Sequence, residues 1–156
     1  MFNNTNNFYQ NFIIRDFTES DYDSVNDLWI ETNIGGSHRG DNLQVILKTI
    51  NNDGKLILLE EKKTANIIGT AWLTNDMRRI YLHHFCIKTE FQSKGLSHLV
   101  CNACISFAKE KNMQIKLEVH KNNEKAITLY KKHGFNFLGD YDVYIIREFN
   151  NLQYKT

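Results

Sequence analysis

The sequence predicts an α/β domain built on a mixed, mostly antiparallel central sheet of six to seven strands flanked by about four helices. Three observations predict it. Short runs such as "QIKLEVH" alternate apolar and polar residues, the period of a half-buried strand. From Leu96 the period lengthens: Leu96, Leu99, Val100, Ala103, Cys104, Phe107 and Ala108 recur at three- and four-residue steps, one apolar helical stripe. The two kinds of run interleave, so hairpin-linked strands are antiparallel and helix-linked strands can be parallel.

In chain order, the Asn-rich residues 1–11 read as a flexible lead-in and residues 12–156 as one domain. "NFIIRDF" is the first strand. "TESDYDSVNDLWIETN" is a helix, with Thr18 as N-cap and Asp21 three positions on as a short-acid capping box. The loop "IGGSHRGD", residues 34–41, leads to a second helix, "NLQVILKTIN". "KLILLEEKK" and "NIIGTAWLTN" form a hairpin, and Asn75 and Asp76 turn the chain into "RIYLHHFCI". Lys109, Lys111 and Asn112 close the third helix, where the dipole favours cations and Asn accepts a left-handed conformation. "QIKLEVH" is a strand and "NEKAITLYKKH" a helix ended by Gly134, and "FNFLG" and "DVYIIREF" complete the sheet. Trp29, Trp72 and the Cys101–Cys104 pair, which lies within a helix, are assigned to the core.

The chain has 156 residues, 42% hydrophobic and 12% aromatic, enough for a single core. Nineteen basic and eighteen acidic side chains leave a net charge of +1, which argues against a nucleic-acid partner. No apolar run approaches the roughly 20 residues that span a bilayer, so no membrane partner is expected. The opening "MFNNTNNFYQNF" lacks the basic start and apolar middle of an export signal, and three cysteines make a poor disulfide framework. A cytoplasmic location is therefore expected. His98 and His120 have no ligand partners at metal spacing, and no metal is expected. The sequence leaves a homodimer open.

The stretch "FQSKGLSHLV" carries the chemistry. A strand that feeds a Gly-containing turn and then a helix presents unpaired amide N–H groups at the positive end of a dipole, a site matched to phosphate. Lys94 adds charge, and Gly95 lets the main chain be approached closely. The same glycine also serves as plain punctuation at a helix start. No Gly-x-x-x-x-Gly-Lys-Ser/Thr pattern is present, so it is not a P-loop.

"IKTEFQSKGLS" resembles the acyl-CoA-binding signature of the GCN5-related N-acetyltransferase (GNAT) superfamily, Gln/Arg-x-x-Gly-x-Gly/Ala, with Gln92, Gly95 and Ser97 at its marked places. Ser97 stands where the family usually has Gly or Ala. Downstream, "NNEKAITLYKKHGF" resembles the second signature, Asn-x-x-Ala-x-x-Leu-Tyr-x-x-x-Gly-Phe, through Asn123, Ala126, Leu129, Tyr130, Gly134 and Phe135. The resemblance covers residues 12–149.

It implies an N-acetyltransferase that moves an acetyl group from acetyl-CoA to a primary amine, small molecule or peptide, in a ternary complex. It implies splayed central strands whose free edges take the pantetheine arm. Main-chain groups of Phe85 and Ile87 would bind that arm, Asn123 would bond it, and the turn Gln92, Ser93, Lys94, Gly95, Leu96 and Ser97 would hold the pyrophosphate. Tyr130 matches the general acid, and a phenol of pKa about 10 can protonate a thiolate of about 8.5. Strict alternation puts Tyr81, His83 and Phe85 on one face of their strand and Leu82, His84 and Cys86 on the other. His83 matches a position from which some members supply a base; Glu118 on the next strand and an ordered water are the alternatives. Arg39 and Asp41 lie in the loop where members place acceptor-binding groups. Two rival readings remain at this stage: a non-catalytic acyl-CoA-binding or sensor domain, and an interaction protein using the same fold.

Overall fold

The computed structural model describes residues 8–139 and 142–146. Strand β1 (Phe12–Asp16) is followed by helices α1 (Tyr22–Glu31) and α2 (Leu43–Asn51). Strands β2 (Lys55–Glu61), β3 (Asn66–Asn75) and β4 (Arg79–Ile87) come next, then α3 (Leu96–Glu110), β5 (Gln114–Leu117) and α4 (Glu124–Lys132). The strands form one sheet in the order β1-β2-β3-β4-β5. The first three pairings are antiparallel and β4–β5 is parallel, as helix-linked strands require.

Local chemistry sets the element ends. The Asp21 carboxylate accepts from the Thr18 amide at 2.8 Å and from its hydroxyl at 2.8 Å, closing the box that starts a 3-10 turn ahead of α1. Asn42 and Asn123 cap α2 and α4 by accepting from the amides of Val45 and Ala126. Asn112 takes φ 52° and Gly134 φ 88°, stopping α3 and α4 in left-handed conformations.

Alternation along the strands divides the core between two faces. Ile57, Leu59, Ala71, Leu73, Ile80 and Leu82 pack against Leu96, Val100, Cys104 and Phe107 of α3 and against Leu129 and Tyr130 of α4. Leu56, Leu58, Ile67 and Trp72 pack against Val25, Leu28 and Trp29 of α1 and Ile46 of α2. Both tryptophans and both helix cysteines are buried, as expected. Of the lead-in, residues 1–7 lie outside the described residues, while Phe8 and Tyr9 pack against the α3 face.

Two expectations need correction. The sheet has five strands among the described residues rather than six or seven. Residues 135–139 and 142–146 run without strand pairing, and the remainder of "DVYIIREF", residues 147–149, lies outside the described residues. Phe137 and Tyr144 are each 89% exposed, so neither stretch gains the burial that would hold it on the sheet.

The second correction concerns β4. Thr70 pairs with Cys86 and Trp72 with His83, so His84 and Phe85 together oppose Ala71: a β-bulge. His84 sits at φ 44°, a left-handed conformation rare for non-glycine residues. The extra residue breaks the alternation. Phe85 and Ile87 pack on the α3 face, while His84 lies against Trp29 and Trp72 on the α1 face, which it shares with His83. Strict alternation had put the two histidines on opposite sides.

Thr70, fully buried, secures the bulge. Its hydroxyl accepts from the Trp29 indole N–H at 2.9 Å and donates to the His84 carbonyl at 2.9 Å. Thr70→Val strands both groups in the core. It should cost about 1–3 kcal/mol in chemical denaturation, the range for a buried polar group left without its partner.

Candidate active site

Pairing between β4 and β5 ends at Leu82 and Leu117. Beyond it β4 continues for five residues, 83–87, with no strand on its β5 side among the described residues. The two strands have parted, as the resemblance implies, and main chain of β4 is left without a ladder on that side. Phe85 lies in this stretch. The Ile87 carbonyl already accepts from the Gln92 side chain at 2.9 Å, which ties the following turn to the strand end.

That turn delivers the chain into α3. Ser93 at φ 59° and Gly95 at φ 80° are both left-handed, and the first helical bond runs from the His98 amide to the Gly95 carbonyl. The amides of Ser93, Lys94, Gly95, Leu96 and Ser97 find no acceptor among the described residues. Five consecutive free donors at the start of a fifteen-residue helix form an anion cradle. The residues therefore fit a diphosphate. The exposed Lys94 carries its ammonium over the Phe91 ring, 5.1 Å from the centroid.

Tyr9 changes the meaning of the glycine. A Cβ on Gly95 would collide with the Tyr9 hydroxyl, which donates to the Lys94 carbonyl at 3.3 Å. Glycine is needed here for its backbone conformation and to make room for Tyr9, two demands invisible in "FQSKGLSHLV".

Tyr130 is buried, edge-on to Phe85 at 5.8 Å and to Phe135 at 5.5 Å. Burial, and then the neighbouring Cys101 and Cys104, push its pKa well above 10. Its hydroxyl keeps its proton throughout the neutral range. Asn123 spends its carbonyl oxygen on the α4 cap, at 3.2 Å from the Ala126 amide, and so performs the plainer of its two expected tasks.

The base candidates separate. His83 stacks on Tyr81 at 4.3 Å and shares a 2.9 Å hydrogen bond with Thr74. Burial, and then His84, lower its pKa to about 4, leaving a weak proton acceptor at neutral pH. Glu118, just past β5, is exposed and its carboxylate lies near Tyr81. Burial and this carboxylate raise the Tyr81 pKa. Of the two loop residues, Arg39 is exposed and donates to Asn33 at 3.2 Å. Asp41 turns inward, its Oδ2 lying 3.0 Å from His84 Nε2 and accepting from the Gly36 amide at 3.2 Å.

Sequence reasoning missed His84, because nothing in "YLHHF" marks a bulge. The one available hint was the glycine pair of "IGGSHRGD": a Cβ on Gly35 would collide with His84 Nε2 and lie 2.9 Å from Asp41 Oδ2. It also missed the His98–His133 contact between α3 and α4, a 2.8 Å hydrogen bond at the surface. Among the described residues no group of three potential metal ligands occurs, and no helix is long and apolar enough to cross a membrane.

Residues 11–135 match the model of the acetyltransferase (GNAT) family. A 70-residue stretch is 37% identical to the spermine/spermidine N(1)-acetyltransferase of Bacillus subtilis (strain 168) and covers 44% of this chain and 46% of that one. The chain thus spans about half the length of the curated relatives it matches. Among solved structures, an acetyltransferase from Streptococcus agalactiae superposes with a TM-score of 0.72 at 18% identity, over 88% of this chain and 92% of that one. A predicted acetyltransferase from Clostridium acetobutylicum, solved with acetyl-CoA, gives 0.66 at 17% identity, over 86% and 96%. At such identities the likeness is one of fold.

Gly95→Ala should lose about 1–2 kcal/mol to the left-handed backbone, with a further loss from displacing Tyr9. Measured by urea unfolding, the second part should vanish when the glycine is replaced in a Tyr9→Ala background. Equal losses in both backgrounds would remove Tyr9 from the account.

Proposed function

The chain belongs to the acetyltransferase (GNAT) family, and from that premise we propose that it transfers an acetyl group from acetyl-CoA to a primary amine, directly, in a ternary complex. The observation that carries this reading is the run of five unpartnered amides, Ser93 to Ser97, opening α3 where β5 has parted from β4. These donors and Lys94 would hold the diphosphate. The open edge of β4 around Phe85 would take the pantetheine amides, and Asn123 has its side-chain N–H groups left to give.

Bound acetyl-CoA supplies the acyl carbon and a thiolate leaving group. Tyr130 holds the proton that leaving group needs, and its apolar surroundings of Phe85 and Phe135 exclude water from the transfer. Its raised pKa makes it a stronger hydrogen-bond holder than acid, so it serves best where the sulfur is equally desolvated. On the acceptor side, a polyamine is the first class to test, after the substrate in the Bacillus relative's name. Peptide N-termini, lysine and amino sugars share the same nucleophile.

A thiol-release assay across these amines should show turnover with at least one. Tyr130→Phe should lower kcat while leaving acetyl-CoA affinity nearly unchanged; equal turnover removes the acid role. Gly95→Glu, which puts a bulky carboxylate at the cradle, should abolish binding in calorimetry. Acetyl-CoA at a hundred times its Kd should stabilise the wild type by about 2.7 kcal/mol. Stabilisation without turnover on any amine would instead favour an acyl-CoA sensor, and absence of both an interaction module.

A further inference from the structure

We propose that Tyr9 is a positioning residue of the cofactor site: by holding the Lys94 carbonyl, its hydroxyl aims the Gly95 amide at the coenzyme's diphosphate. The inference rests on the acetyl-transfer reading and goes beyond it. Tyr9 precedes both signatures and lies outside the residues, 11–135, that match the family.

One peptide unit links the phenol to the diphosphate site. The Lys94 carbonyl and the Gly95 N–H belong to the same trans peptide, so they point in opposite directions. Tyr9 donates to that carbonyl at 3.3 Å, and no main-chain donor among the described residues reaches it. The N–H therefore faces away from Tyr9 and stays free, the middle one of the five unpartnered amides.

Without the hydroxyl this orientation is weakly specified. Turning the peptide over exchanges its N–H and C=O and changes φ of the glycine, a residue that takes either sign of φ about as readily. Turned over, the unit would offer a carbonyl oxygen to an anion. Tyr9 selects the productive form in two ways. It satisfies the carbonyl where it now lies, and its hydroxyl fills the space beside Gly95 where a Cβ would collide. A carbonyl that accepts a hydrogen bond also polarises its own peptide, which makes the N–H a better donor to phosphate.

The phenol is itself held in place. Tyr9 packs edge-on against Phe8 at 5.5 Å, Phe8 against Phe12 at 5.1 Å, and Phe12 against Phe91 at 6.0 Å. Phe91 ends the 3-10 turn Thr89–Phe91 that leads toward the amide run, and its ring carries the Lys94 ammonium. From the other direction, the Asn11 amide donates to the Phe8 carbonyl at 3.1 Å and the Lys62 amide to the Asn11 carbonyl at 2.9 Å. The segment before β1 is thus fastened to the turn after β2, and its aromatic rings reach across to the turn after β4.

Three readouts compare the wild type with Tyr9→Phe, which keeps the ring against Phe8 and removes the hydroxyl alone. In calorimetry, coenzyme A should bind the variant about two- to tenfold more weakly, the worth of one hydrogen bond. In ¹H–¹⁵N spectra, the downfield shift that coenzyme A gives the Gly95 amide proton should shrink in the variant. In kinetics with the best amine of the panel, the KM for acetyl-CoA should rise while kcat holds. Acetylpantetheine, a donor with no diphosphate, should serve both proteins equally well. Equal affinity for coenzyme A overturns the proposal alone, as does an undiminished Gly95 shift. A loss with acetylpantetheine that matches the loss with acetyl-CoA overturns it too, because Tyr9 would then act on the fold at large. Coenzyme A that fails to bind the wild type overturns it together with the acetyl-transfer reading.

Discussion

The hydroxyl of Thr70 is the small group on which the rest of the site depends. It holds the Trp29 indole on one side and the His84 carbonyl on the other, and so keeps one surplus residue in β4. Were the ladder regular, His84 would point toward α3 and Phe85 toward α1. With the bulge, Phe85 meets Tyr130 in the layer of α3 and α4, and His84 meets Asp41 in the layer of α1 and α2. The sheet thereby sets a phenol that keeps its proton on one side and an imidazole paired with a carboxylate on the other.

The parting of β4 from β5 has the same local character. Four residue pairs hold the parallel ladder together, and then it stops. A parallel pair of this length gains little, and the bulge against β3 lies just beyond its end. Unpaired main chain is tolerated because the turn after β4 is pinned separately, by Gln92 on the Ile87 carbonyl and by Tyr9 on Lys94. Donors that a compact domain would normally satisfy internally are held apart in a fixed array.

Most of the fold was legible because it rests on periodicity and end chemistry. The stripe from Leu96 to Ala108, the Thr18–Asp21 box and the Asn42 and Asn123 caps need only their own neighbours in sequence. The run of unpartnered amides opening α3 was legible for the same reason, since helix N-termini announce themselves locally. What escaped depends on contacts across the sheet. No propensity marks His84 as left-handed; the bulge follows from Thr70 and Trp72 on β3 and Trp29 on α1, twelve to fifty-five positions away. Tyr9 lies eighty-six residues from the glycine it covers. The strands expected after Gly134 looked sound by composition, yet a strand needs an edge to pair with as well as a pattern, and residues 135–139 and 142–146 have found none. Asp41 was expected to meet the acceptor, and its place beside His84 became visible only when the loop was folded against β4.

All three cysteines are buried. Burial raises the pKa of Cys101 to about 11 and pushes that of Cys86 and Cys104 up as well, so none offers a nucleophilic sulfur near neutral pH. An acyl group arriving on a thioester accordingly has no thiol of the protein on which to rest between donor and acceptor. An acetyl transfer of the kind proposed would therefore run without an acyl-cysteine.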